Sequence, residues 1–118
     1  MAERVQQQHN FLLTADIQYN NSLPTATELQ LYRIIQEAVT NMIKYADAMA
    51  GKISITEDDK QIRVEIKDNG KGFDVKEALK SNKSFGVHNI LERSKAIGGK
   101  AHIASGNTGT VITIDIIK

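Results

Sequence analysis

Lys52-Ile53-Ser54-Ile55-Thr56, the turn Glu57-Asp58-Asp59 with Lys60, and then Gln61-Ile62-Arg63-Val64-Glu65-Ile66-Lys67 form the stretch on which the fold turns. Both outer runs alternate apolar with polar residues, the period of two expected of strands with one face buried and one in water. The acidic turn between them is short, so the two runs predict an antiparallel hairpin. A hairpin in mid-chain excludes a purely parallel, doubly wound sheet.

Working outward toward the N-terminus, Thr25 to about Ala46 has helical spacing. Thr25 followed by Glu28 matches a capping box, with Pro24 just outside it. At about 100° per residue, Leu31, Ile35, Ala38, Val39, Met42 and Ala46 fall on one face. Arg33, Glu37, Asn41 and Lys44 form the opposite stripe. Before the helix, Phe11 to Tyr19 alternates weakly, with Phe11, Leu13, Ala15, Ile17 and Tyr19 on one side, which predicts a strand. Asn20, Asn21, Ser22 and Pro24 make a turn. Residues 1–10 are polar and glutamine-rich and read as a tail or the frayed end of an upstream helix.

Toward the C-terminus, Asp68-Asn69-Gly70-Lys71-Gly72 ends the second strand of the hairpin. Asp74 to Ser84 is a polar connection with space for a helical turn around Ala78 and Leu79. Gly86 to Ile97 reads as a second helix with Val87, Ile90, Leu91 and Ile97 inward, ended by Gly98-Gly99. Strands over Lys100–Ser105 and Thr110–Ile117 flank the loop Gly106-Asn107-Thr108-Gly109. The order β, α, β, β, loop, α, β, β predicts an α/β two-layer sandwich over residues 11–118: a mixed, mostly antiparallel sheet with helices on one face.

Composition narrows the function. The 118 residues are 41% hydrophobic and 25% charged, enough for one domain with its own core. Fifteen basic against 14 acidic side chains leave a net charge of +1, no field for gripping a nucleic acid. Without cysteine there is no disulfide, thiolate zinc site or cysteine nucleophile. No apolar run approaches the roughly 20 residues of a membrane span, and the first ten residues are too polar for a secretory signal. A cytoplasmic domain is the expectation. Aromatics at 5%, with no tryptophan, argue against base- or sugar-stacking platforms.

Four constellations could carry chemistry. Glu37, Asn41 and Lys44, at spacings of four and three, share a helical face. A carboxylate, a carboxamide and an ammonium together suit a hydrated divalent cation on a phosphate chain, though the same stripe could be an ordinary solvated face. In Asp68-Asn69-Gly70-Lys71-Gly72-Phe73, an aspartate at a strand end can accept a hydrogen bond while the glycines let a flat ligand approach; a plain Asx turn fits it too. The three glycines of a dinucleotide fingerprint are not supplied, and no phosphate-binding loop ends in glycine-lysine-serine or threonine. Phe85-Gly86-Val87-His88-Asn89 opens a helix whose exposed amides could receive phosphate. Gly106-Asn107-Thr108-Gly109-Thr110 is a glycine-containing hairpin turn.

Taken in order, these motifs resemble the ATP-binding domain of sensor histidine kinases, over nearly all of residues 11–118. Leu31-Tyr32-Arg33-Ile34-Ile35-Gln36-Glu37-Ala38-Val39-Thr40-Asn41 is similar to the N box of the nitrate-sensor and desaturase-sensor type. Phe85-Gly86-Val87-His88-Asn89-Ile90-Leu91-Glu92-Arg93-Ser94, followed by Gly98-Gly99, is similar to its second glycine box. The resemblance implies the GHKL ATPase sandwich, with ATP and magnesium held between the helical layer and a lid. Asp68 would accept from the adenine amine, with Gly70 and Gly72 allowing close approach and Gly109 and Thr110 lining the adenine end. Asn41 would ligate magnesium, Lys44 would reach the phosphates, and Gly86 and Val87 would present amides to them. Glu37 would act as base or orienting group for a receiving histidine.

Some residues depart from the pattern. The N box usually continues lysine-histidine-alanine, whereas here it reads Lys44-Tyr45-Ala46, and the lid between Phe73 and Gly86 is about 12 residues long. The helices that bear a phosphoacceptor histidine are not in the sequence. His9 lacks the acceptor motif's flanking residues, His88 lies in the second glycine box and His102 in a predicted strand. The resemblance therefore implies a catalytic domain that phosphorylates a histidine on separate dimerisation helices, with residues 6–10 as the end of their linker. A response regulator would act downstream. The piece would be monomeric and its parent a homodimer, and the resemblance is compatible with a parent in the membrane or free of it. A nucleotide-dependent interaction switch without phosphoryl transfer is the alternative.

Overall fold

The computed structural model describes residues 11–20, 22–44, 47–80 and 86–118. The expected hairpin is present as β2 (Ala50–Glu57) and β3 (Gln61–Asp68), antiparallel with Ile53 opposite Ile66 and Ile55 opposite Val64. The Asp58 carboxylate closes its turn by accepting the amides of Lys60 and Gln61, both at 2.8 Å. A second hairpin, β4 (Gly99–Gly106) and β5 (Gly109–Ile117), joins it through an antiparallel β3–β5 pairing. The first strand, β1 (Leu12–Gln18), lies parallel to β2. The five strands run in the order β1-β2-β3-β5-β4, the mixed and mostly antiparallel sheet expected.

Three helices complete the described residues: α1 (Thr25–Lys44), α2 (Val75–Lys80) and α3 (Val87–Ala96). The helical side of the sheet carries Ile53, Ile55, Ile62, Val64, Ile66, Ile112, Ile114 and Ile116. These pack with Leu31, Ile34, Ala38, Val39 and Met42 of α1 and Ile90 of α3 in one apolar cluster. Burying each such side chain contributes roughly 1.5–3 kcal/mol, so the interleaved isoleucines fix both the register and the seat of α1. The other sheet face is polar: Arg63 reaches across to Asp115 through Nε at 2.7 Å and Nη2 at 3.2 Å.

Several expectations need correction. The inward face of α1 centres on Ile34, which is wholly buried, while Ile35 is only partly so. Glu28 does not close a capping box; its carboxylate accepts the Tyr19 hydroxyl at 2.8 Å, and the same hydroxyl accepts the Leu23 amide at 2.9 Å. Ala15 and Ile17 keep the expected alternation but are exposed, because none of the helices among the described residues covers the β1 edge of the sheet. In α3 the third buried residue is Ser94, whose hydroxyl donates to the Ile90 carbonyl at 2.7 Å, and Leu91 is only partly buried. Residues 1–10, Asn21, Tyr45, Ala46 and residues 81–85 lie outside the described residues, so the readings made for them are not addressed.

Candidate functional site

The pairing registers arrange the helical side of the sheet in cross-strand rows. Two are aliphatic across β2, β3 and β5, and a third sets Ile62 and Ile116 beside Glu57. The row at the β3 C-terminus is different: Leu13, Gly51, Asp68, Thr110 and Ser105 lie side by side. A polar row at the end of an apolar face leaves a place where the core meets water with hydrogen-bonding groups in its wall.

A narrow cleft opens there. It is lined by Ala38, Asn41 and Met42 of α1, Ile66 and Asp68 of β3, Gly72 and Phe73, Val87 and Ile90 of α3, and Ile103, Thr110 and Ile112 of the second hairpin. Its enclosed volume is about 20 Å³, space for about one water. Asp68 is half-buried within it, and loss of hydration pushes its carboxyl above the ordinary aspartate value. Hydrogen bonds from the backbone amides of Gly70 and Thr110 oppose that rise, the former at 2.8 Å. An ionised carboxylate accepts about four hydrogen bonds, so two amides leave it with capacity.

Of the sequence-predicted residues, Asn41, Asp68, Gly72, Val87 and Thr110 therefore come together on one cleft. Gly70 stands behind it as the amide on Asp68. Gly109 stands behind it too, its Cα lying so close to the Asp68 carbonyl that a Cβ there would strike it. Lys44 is exposed at the last position of α1 and does not line the cleft.

Glu37, one turn of α1 before Asn41, faces a second cleft of about 470 Å³ with Arg33, Gln36, Thr40, Asn89 and Arg93. Its Oε1 accepts the Asn89 Nδ2–H at 3.3 Å. Gly86 is left-handed at φ 75° immediately before α3, and a Cβ at that position would run into the Glu37 carboxylate. Glycine there lets the start of α3 close directly on Glu37. The stripe on α1 is thus divided between two adjoining clefts, Asn41 on one and Glu37 on the other.

Sequence reasoning missed the apolar lining and one polar residue. Ile66, Ile103 and Ile112 lie within predicted strands, and only their place at the row beside Asp68 makes them cleft walls. Ser105 accepts the Phe73 amide at 2.9 Å and lies 2.7 Å from Thr110 Oγ1; the β4–β5 register, which puts it opposite Thr110, is the signal that would have found it.

This architecture, a sheet with helices on one face and a cleft at the end of its apolar side, is that of a known ATPase family. Residues 26–118 match the family described as histidine kinase-, DNA gyrase B- and HSP90-like ATPase, and the chain belongs to that family. Among curated relatives it is 39% identical over 103 residues to the sensor histidine kinase YdfH of Bacillus subtilis, covering 86% of this chain and 25% of the relative. It is 43% identical over 93 residues to the signal transduction histidine-protein kinase/phosphatase DegS of the same organism, covering 75% of this chain and 24% of the relative. The chain spans about a quarter of the length of these relatives. Among solved structures, the histidine kinase AdeS of Acinetobacter baumannii superposes with a TM-score of 0.76 at 18% identity, covering 98% of this chain and 58% of that one. The histidine kinase domain of the Erythrobacter litoralis blue-light activated kinase gives 0.72 at 21%, covering 98% and 60%. At those identities the likeness is one of fold, and it matches the two-layer sandwich with helices on one face. Among the described residues no helix is long and apolar enough to cross a membrane.

Proposed function

We propose that this chain binds ATP with magnesium and serves as the catalytic domain of a sensor histidine kinase, passing the γ-phosphate to a histidine on separate dimerisation helices. The observation that carries this reading is Asp68: a half-buried carboxylate with acceptor capacity to spare, set in a mostly apolar cleft. A purine ring suits such walls by apolarity, and its exocyclic amine is the donor Asp68 lacks. That donation stabilises the ionised form which burial disfavours, so binding and ionisation reinforce each other. The cleft as it stands is far too small for a base, so Gly72–Phe73 and the start of α3 must part from the sheet to admit one.

Among the described residues no group of three acidic, histidine or cysteine side chains could hold a metal by itself. Magnesium keeps several waters and needs only one or two protein oxygens when it arrives on phosphates, and the Asn41 carboxamide on the cleft wall fits that demand. Bound there, magnesium would neutralise charge on the phosphate chain. Lys44, at the end of the same helix, and the amides of Gly86 and Val87 at the start of α3 are the groups assigned to the phosphates. Glu37, held by Asn89 across the neighbouring cleft, is the group to receive or orient the acceptor imidazole. Positioning and charge stabilisation of this kind supply most of the catalysis in phosphoryl transfer. The partners under this reading are the parent's phosphoacceptor helices and a response regulator, with this piece monomeric and its parent a homodimer.

The test is calorimetric titration with a non-hydrolysable ATP analogue, with and without magnesium, on the wild type and Asn41→Ala. Saturable binding strengthened by magnesium is expected, with the magnesium-dependent part lost in the variant. No binding by a folded chain would overturn the reading. Binding without phosphohistidine on the parent's helices, after mixing with ATP, would leave a nucleotide switch in place of a kinase.

A further inference from the structure

Ser105 has no part in the roles above, yet it ends the polar row. Its Oγ accepts the Phe73 N–H at 2.9 Å and makes a 2.7 Å hydrogen bond with Thr110 Oγ1. Thr110, 4% exposed, lines the cleft and gives its amide to the Asp68 carboxylate. Asp68 in turn accepts the Gly70 amide. The segment from Asp68 to Phe73 is therefore tied back onto its own starting point through Ser105 and Thr110. Gly72 makes this closure possible: at φ 73° it lies on the Gly106 carbonyl, which any Cβ would strike.

A hydroxyl has one proton to give and two lone pairs to receive. On Ser105 a lone pair is taken by the Phe73 amide, and the acceptor in reach of its proton is Thr110 Oγ1. If the proton goes there, the proton of Thr110 is left for the cleft. Resting on the adenine reading above, we propose that Ser105 is a positioning residue for base selection: by donating to Thr110 Oγ1 it makes Thr110 a donor beside the acceptor Asp68. Adenine carries an amine donor next to a ring-nitrogen acceptor, which complements that pair directly. Guanine carries the reverse, a carbonyl next to an N–H. Its carbonyl would face the Asp68 carboxylate and its N–H would face the Thr110 proton. A site built to pair one pattern rejects the other because its buried polar groups are left unpaired.

The experiment measures ATP and GTP affinities for the wild type, Ser105→Ala, Thr110→Val, the double variant and Ser105→Thr. Ser105→Ala is expected to shrink the ATP-over-GTP preference by about tenfold, the worth of one hydrogen bond, while Ser105→Thr keeps it. In the Thr110→Val background, adding Ser105→Ala is expected to change the ratio no further, because the effect runs through the Thr110 proton. A general loosening of the Gly72–Phe73 segment would instead add to the loss in both backgrounds, and that result overturns the proposal. So does a Ser105→Ala variant with wild-type preference. Should Ser105→Ala not fold, Ser105→Cys fills the same space with a weak donor and carries the same expectation. A folded wild type that binds no adenine nucleotide overturns the adenine reading and this inference with it; binding with an unchanged ratio in Ser105→Ala overturns this inference alone.

Discussion

The β2–β3 hairpin carries a carboxylate near each end, and the fold treats the two in opposite ways. Glu57, closing β2, has a side chain only 4% exposed and is saturated with donors: the Asn20 amide at 2.7 Å, the Ser22 hydroxyl at 2.7 Å and Lys118 Nζ at 2.6 Å. Those contacts, led by Lys118, hold its carboxyl down at about 2. Asp68, closing β3, meets two backbone amides and no cation, and burial drives it up. A saturated carboxylate is a clamp, here joining the β1–α1 turn to the C-terminal residue. An undersupplied one in an apolar wall is receptive, because a ligand that brings a donor relieves its desolvation.

Four substitutions sharpen or break that contrast. The largest effect is expected of Asp68→Asn, which turns an acceptor into a group presenting a donor toward the adenine amine. ATP-analogue affinity should fall by about 100-fold, the cost of a hydrogen bond to a charged group plus an unpaired donor, with the melting temperature held. Equal affinity in titration would show Asp68 to be a second structural clamp. Gly72→Ala forces a left-handed backbone against the Gly106 carbonyl. Urea unfolding should record a loss of about 2 kcal/mol, together with weaker nucleotide binding.

Glu57→Gln should lower the melting temperature without touching nucleotide affinity. Its pH signature is specific: the folded value lies below the ordinary 4.5, so the stabilisation is fully present above pH 4.5 and is lost as pH falls through about 2. Melting curves of the wild type should steepen their decline across that window and those of the glutamine variant should not. The raised carboxyl of Asp68 has the opposite sense, so nucleotide affinity should begin to fall on acidification above the usual aspartate range of 3.8. The smallest effect is expected of Arg63→Ala, on the open sheet face. Its pair with Asp115 is solvent-screened, and neither binding nor melting should move beyond measurement error.

The hairpins, the long helix and their order were legible in the sequence because period two and period 3.6 are written by burial itself. What periodicity leaves out is whether anything covers a face. Ile17 alternates as an inward residue should, but among the described residues the helical layer stops short of β1 and leaves it 53% exposed. Helical phase was off by one residue, Ile35 for Ile34, because α1 has apolar residues on both sides of its seam and only tertiary packing chooses between them. At the site, the aspartate and glycines could be read from their chemistry at a strand end. The Ser105–Thr110 pair could not, since two hydroxyls five positions apart become neighbours only once a hairpin register is fixed. The assignment of Glu37 and Asn41 to separate clefts was hidden in the same way: spacing puts them on one stripe, and it takes α3 to divide it.

The parallel pairing of β1 with β2 bears on how the molecule assembles. Leu12 meets Ala50 only after the whole of α1 has been spanned, whereas both hairpins close over short turns. Chain-closure entropy favours the local contacts, so pulse-labelled amide exchange during refolding should protect β2–β3 and β4–β5 before β1. Until β1 docks, α1 lacks the strand that leads into its first turn, and it is α1 that carries Glu37 and Asn41. The sheet side of the cleft, with Ile66, Asp68, Thr110 and Ile112, would then be in place before its α1 side of Ala38, Asn41 and Met42, and the earliest compact form of this chain would be one whose cleft has a single wall.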